Sequence, residues 1–256
     1  MGWLAGPLAW LATFGSAALL ALVWPETPLA SMLGYLVVFS ALSGVIILGA
    51  SQAARAPLRW AQVGVVVGVG VGLAVVSAPL SPGWQALVGG LGALTAALTL
   101  GARLGAEVQF ASYLWPLTLV ALGADFWSVT TPEGVTQQLV AAGPEGGLNF
   151  VVLTLPVPGL GVSPVLGVGD VLYVALFLGA VRHLHLPVHR AIKGLAAGFA
   201  LCLMGLLIIQ VPLPALAFVA VGGAAGLGRH ARPRRRELIT ALVFVGGFFA
   251  LRAVLA

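Results

Sequence analysis

The sequence predicts an all-α polytopic membrane protein of about nine transmembrane helices. Three observations predict it. Of 256 residues, 60% are hydrophobic and 7% charged, whereas a soluble domain carries about 25% charged residues. Mean hydropathy is +1.09. The apolar runs are long enough to cross a bilayer and are separated by turn formers and arginines.

A span needs about 20 apolar residues, since ~1.5 Å of rise per residue must cover ~30 Å. Nine stretches meet this, at roughly 3–23, 29–50, 60–79, 84–102, 108–130, 164–182, 191–210, 211–229 and 237–255. No Lys or Arg precedes the first run and no convincing cleavage site follows it, so it is expected to be a retained span rather than a signal peptide. Pro25-Glu-Thr-Pro28 and the Ala54–Arg59 segment set off the second span. Ser81-Pro-Gly83 and Arg103-Leu-Gly105 bracket the fourth. The seventh and eighth are expected to form a tight hairpin around Val211-Pro212. Glycine-rich stretches such as 65–72 and 89–92 suit close helix packing in lipid. Cys202 stands alone, so no intrachain disulfide forms; it reads as a small core residue.

Charge sets the expected orientation. The net charge is +5, but the basic residues are scattered at span ends rather than gathered in a nucleic-acid-binding patch. Eleven of the twelve Lys and Arg fall in the connections after spans two, four, six and eight. The positive-inside rule then places those connections and the N-terminus in the cytoplasm, and the C-terminus outside. Compactness and arginine in place of lysine fit a microbial plasma membrane. Arg182, Arg190 and Lys193 with His183, His185 and His189 read as a solvated basic link, not a metal site. Arg232-Pro-Arg-Arg-Arg236 reads as an anchor at anionic headgroups.

The single long connection, 131–163, falls outside. Its segment 148–156 is β-branched and aromatic, too short to span, and reads as a strand or re-entrant edge. Three regions are expected: a four-span scaffold over 1–107, a core over 108–229 containing that loop, and a basic linker with an extra span over 230–256.

The acidic residues segregate. All five glutamates read as loop or span-end residues, while Asp125 and Asp170 lie within apolar runs. A charge at the bilayer centre costs about 2.5–3.5 kcal/mol on insertion scales, so such residues mark function. Asp125 lies near the outer end of span five, and Asp170 about six residues into span six. Both are thus ~10 Å deep on adjacent antiparallel helices. Pro214-Ala-Leu216 falls about one turn into span eight, in the same layer. Two carboxylates facing each other in a low-dielectric site cannot both ionise easily, the arrangement that suits general acid–base hydrolysis of an amide. Gly167 and Gly169 lack Cβ, so a substrate backbone can approach Asp170 closely. Pro214 breaks a helix start and leaves a carbonyl free. Tyr173, one turn beyond Asp170, either hydrogen-bonds in the site or packs in the core.

Gly167-Val-Gly-Asp170, the upstream Asp125 and the downstream Pro214-Ala-Leu216 resemble the GxGD and PAL motifs of the presenilin and signal peptide peptidase family. Phe126-Trp-Ser-Val129 and the run ending Leu155-Pro156 are closer to the signal peptide peptidase branch, as is a loop between the aspartates lying outside. The resemblance covers roughly 108–229. It implies an intramembrane aspartyl protease with Asp125 and Asp170 as catalytic dyad, and an active site shaped by Gly167, Gly169, Tyr173, Pro214, Ala215 and Leu216. Ala124 stands where the family has an aromatic residue, and Gln210 lies four residues ahead of Pro214 rather than just before it. Four spans precede the first aspartate where the family typically has five, and the ninth has no counterpart.

A helical substrate must unwind before it is cut, and Phe150, Val151, Val152 and Leu153 are expected to pair with the unwound stretch by strand addition. The expected partners are transmembrane helical peptides and the bilayer, with no nucleic acid, cofactor or metal, and with room for an oligomer. The alternatives are an ion-coupled transporter binding a cation at the aspartates, and the prepilin peptidase class, which shares the GxGD aspartate but lacks PAL.

Overall fold

The computed structural model describes residues 5–23, 27–131, 134, 138, 151–209 and 213–255. Among them nine α-helices follow the chain: α1 Ala5–Val23, α2 Pro28–Ala53, α3 Trp60–Ser77, α4 Pro82–Gly105, α5 Leu114–Thr130, α6 Val168–His183, α7 Val188–Ile209, α8 Ala215–Leu227 and α9 Arg235–Leu255. A single antiparallel hairpin, β1 Val152–Val157 and β2 Gly161–Gly167, precedes α6.

Five helices, α1, α2, α3, α4 and α7, are long and apolar enough to cross a membrane. This stands against the expected count of about nine transmembrane helices. The helices α5, α6 and α8 have 17, 16 and 13 residues, and α9 opens on Arg235-Arg-Glu237. The shortfall has local causes. Span five begins late because 111–113 forms a 3-10 turn. Span six was expected from 164, but 161–167 pairs as a strand and helix begins only at Val168. Span eight was expected from 211, yet its helix starts after Pro214, which lacks the N–H a longer helix would use. The connecting turn at 211–212 lies outside the described residues.

Helix α6 is the centre of the bundle. Val171, Val174, Ala175, Phe177, Leu178, Ala180 and Val181 are fully buried, because the helix is apolar around its circumference and must be enclosed. It packs against α2, α4, α7 and α8. By contrast, α3 turns Val65, Val69, Val75 and Val76 outward, as a lipid-facing helix does.

Glycines set three close crossings. Gly70 and Gly92 bring α3 onto α4, and Gly101 and Gly105 bring α4 onto α6. Gly194 and Gly198 of α7 face Gly222 and Gly226 of α8, two small-xxx-small pairs in register. A Cβ at any of these would meet backbone of the partner helix, so small residues do here what lipid cannot, letting backbones touch.

The hairpin is part of the core. Leu153, Leu155 and Val157 alternate inward with no exposed surface and lie against α1, α2 and α4. Its turn uses Gly159 and Gly161 at φ 75° and 67°, with Leu160 N–H donating to Val157 O at 3.0 Å. The segment 148–156, expected as a strand or re-entrant edge, contains strand β1 from Val152 on, with 148–150 outside the described residues. Its partner β2 joins the end of the expected loop, 161–163, to the expected start of span six, 164–167.

Candidate active site

The site begins where strand becomes helix. The ladder pairs Val152 with Gly167 and continues one step further, Val168 N–H donating to Val151 O at 2.8 Å. No linker separates β2 from α6, so the hairpin register fixes where the helix starts. Asp170 is the third residue of α6, not six residues into a span. Its Oδ2 accepts the N–H of Gly167 at 3.1 Å, a side chain folded back over one of the helix's unpaired N-terminal donors. The carboxylate is 7% exposed.

The two motif glycines differ. A Cβ on Gly167 would stand 3.2 Å from Asp170 Oδ2, whereas one on Gly169 would meet nothing within 4 Å. Gly167 makes room for the carboxylate itself. Gly169 is exposed and opens the face beside it.

Asp125 comes from α5 and is half-buried. Its Oδ2 accepts the Leu216 N–H at 2.8 Å and the Ala217 N–H at 3.4 Å. These are the second and third residues of α8, whose first-turn donors have no partner within the helix. Pro214, extended at φ −67° and ψ 93°, ends the preceding segment and turns them toward Asp125. A carboxylate at a helix N-terminus is also favoured by the helix dipole. Thus Leu216, the last residue of the Pro214-Ala-Leu216 run, and Ala217 after it hold the first aspartate through backbone N–H groups.

The aspartates lie within electrostatic range of each other. About one turn from Asp170 on α6 and two turns from Asp125 on α5, Tyr173 Oη and Thr118 Oγ1 are 2.9 Å apart, both buried. Thr118 donates to Leu114 O at 2.8 Å, so Tyr173 is the donor between them. Rising numbers on α5 meet falling numbers on α6, which makes the two helices antiparallel. Tyr173 also stacks on Phe177 with centroids 5.9 Å apart. It packs in the core, and its hydroxyl bonds Thr118 rather than either aspartate.

Of the segment expected to receive substrate, Phe150 lies outside the described residues. Val151 and Val152 are half-buried, and Leu153 is wholly buried in the core. Neither strand has a second strand partner among the described residues.

Two further residues reach the site without a sequence signal. Tyr35 of α2 lies 3.5 Å from Val165 O, the carbonyl of the one β2 residue left unpaired by a bulge between Leu153 and Thr154. Cys202 of α7, buried, lies within electrostatic reach of both aspartates and of Tyr35. The basic link sits at the far end of α6: His183 is thirteen residues, or about 20 Å, from Asp170. Among the described residues, no group of three His, Cys, Asp or Glu could hold a metal ion. No family model, curated protein or solved structure matches the chain.

Proposed function

We propose that this protein is an intramembrane aspartyl protease of the signal peptide peptidase-like type, hydrolysing peptide bonds within transmembrane or signal-peptide-like helices. The observation that carries the reading is the convergence of three separate sequence motifs. Leu216 of the PAL run donates its N–H to Asp125, Gly167 of the GxGD turn donates its N–H to Asp170, and the two carboxylates are close enough to interact.

In this reading one carboxylate takes a proton from a water held between the pair. The water oxygen attacks the scissile carbonyl carbon while the other carboxyl protonates the carbonyl oxygen. The tetrahedral gem-diol then collapses with the roles of Asp125 and Asp170 exchanged. The carboxyl that took the water proton gives it to the nitrogen as the C–N bond breaks, and the other carboxylate takes the proton of one hydroxyl, which restores the dyad. The open face at Gly169 admits the substrate backbone to Asp170. The unwound substrate adds as a strand to the hairpin, beside Val151 and Val152, which aligns its amide with the dyad. The chain's orientation in this proposal has the hairpin outside and the basic link in the cytoplasm.

The test is cleavage of a tagged single-span reporter by purified protein in detergent. Wild type, Asp125→Asn and Asp170→Asn are compared, with and without a hydroxyl-containing peptide isostere. Loss of cleavage in both variants and with the isostere supports the dyad. An inactive, well-folded wild type that instead supports carboxylate-dependent ion uptake in liposomes would replace the protease with a transporter.

A further inference from the structure

A groove of about 730 Å³ lies between α5, α7 and α8. Its floor is the glycine contact of α7 with α8. Its walls include Leu122, Ala197, Leu201, Ala217 and Val221. Leu201 and Val221 are 55% and 40% exposed, so the groove opens sideways, toward lipid in a membrane. One end reaches Ala217, whose N–H is bound to Asp125. The other ends at Arg190 and Lys193, both exposed.

Those two cations have no anionic partner among the described residues. Among the described residues there are four carboxylates. Asp125 and Asp170 bind backbone in the site, Glu107 pairs with Arg103, and Glu237 accepts from Ser112 Oγ and Arg234 N–H. The groove is otherwise apolar and runs about 16 Å from the level of Arg190 to that of Leu201, eleven residues at helical rise. A volume in the range of ~300–1,000 Å³ suits a small ligand, while a whole helix, ~10–12 Å across with its side chains, overfills it.

We infer that this groove is a binding site for an anionic phospholipid, its phosphate held by Arg190 and Lys193 and one acyl chain lying along α7 and α8 toward Ala217. A basic pocket between membrane helices at the headgroup level selects anionic lipid, and the small residues of the lane leave room for a chain of methylenes. The site stands independently of the protease reading.

Native mass spectrometry of the full chain in detergent tests it, with phosphatidylglycerol and phosphatidylcholine of identical acyl chains. Phosphatidylglycerol is expected to be retained over phosphatidylcholine. Arg190→Gln with Lys193→Gln should weaken it roughly 10- to 30-fold, while Arg235→Gln with Arg236→Gln leaves it unchanged. Ala225→Trp, which fills the lane, should abolish retention. If that variant does not fold, phosphatidylglycerol should slow maleimide labelling of Val221→Cys instead. Equal loss in the two arginine-containing double variants means a diffuse charge effect and overturns the site. Displacement by inorganic phosphate means a headgroup contact without the lane and does the same. Indifference to lipid, with a single-span reporter crosslinking at Val221→Cys, gives the groove to a peptide helix and also overturns it.

Discussion

Asp125 accepts the backbone N–H of Leu216 at 2.8 Å, across ninety-one residues of sequence. One side chain thus serves two ends: it is a candidate catalytic group and the external cap of α8. Asp125→Asn keeps a carbonyl oxygen that can accept the same bond, whereas Asp125→Ala does not. Both variants are expected to lose reporter cleavage. Only the alanine variant should lose the cap as well, lowering stability by about 1 kcal/mol. Thermal unfolding in detergent beside the cleavage assay separates the two effects. Equal stability of the two variants would mean the contact does not hold α8.

Val168 is the first residue of α6, and its N–H leaves the helix to bond Val151 O. Proline is tolerated at a first helical position, and Gly167 already has the extended conformation that proline requires before it, φ −70° and ψ 144°. Val168→Pro therefore deletes the strand-to-helix bond and little else. Helicity by circular dichroism should match wild type while reporter cleavage falls by tenfold or more, each tenfold being about 1.4 kcal/mol of lost alignment. Unchanged cleavage would disconnect the hairpin from the dyad.

The two classes of glycine should part company. Gly169→Ala places its methyl in open space beside Asp170, so stability should hold while cleavage declines. Gly222→Ala drives a methyl into the backbone of α7 at Gly194 and Gly198 and is expected to cost about 1–3 kcal/mol. Denaturation midpoints and turnover, measured on both, should move in opposite columns.

Tyr173 donates to Thr118, and Thr118 keeps its own bond to Leu114 O. Tyr173→Phe removes a donor and strands no buried group, for about 1 kcal/mol. Thr118→Val leaves the buried tyrosine hydroxyl unsatisfied, at about 1–3 kcal/mol. The double variant should resemble Tyr173→Phe alone. A double-mutant cycle reads the coupling; additive losses would show that the hydroxyls do not act as a pair.

How much of this was legible before folding follows from the range of each signal. Hydropathy located the nine helices described above, because a long apolar run has few other fates. It failed at 164–167, where Pro164-Val-Leu-Gly167 reads as the start of a span yet pairs with Thr154, Leu153 and Val152. Pairing depends on a partner strand, and an apolar strand is indistinguishable by periodicity from an apolar helix. The aspartates stood out by rarity. Counting along antiparallel helices put them in one layer, but it set Asp170 six residues into a span where it is the third residue of α6. The role of Leu216 as a backbone donor was not legible, since any residue carries an N–H. Tyr35 and Cys202 were invisible for a similar reason: each reaches the site through tertiary packing, with no motif around it.

The bond between Asp125 and Leu216 also has a consequence in time. The ribosome delivers α5 and α6, with both aspartates, well before it delivers α8. A chain halted between Asp170 and Pro214 holds both aspartates yet neither N–H that seats Asp125. The seating of Asp125 is thereby tied to synthesis beyond Ala217, and a product that stops short of it has a first aspartate without its backbone donors.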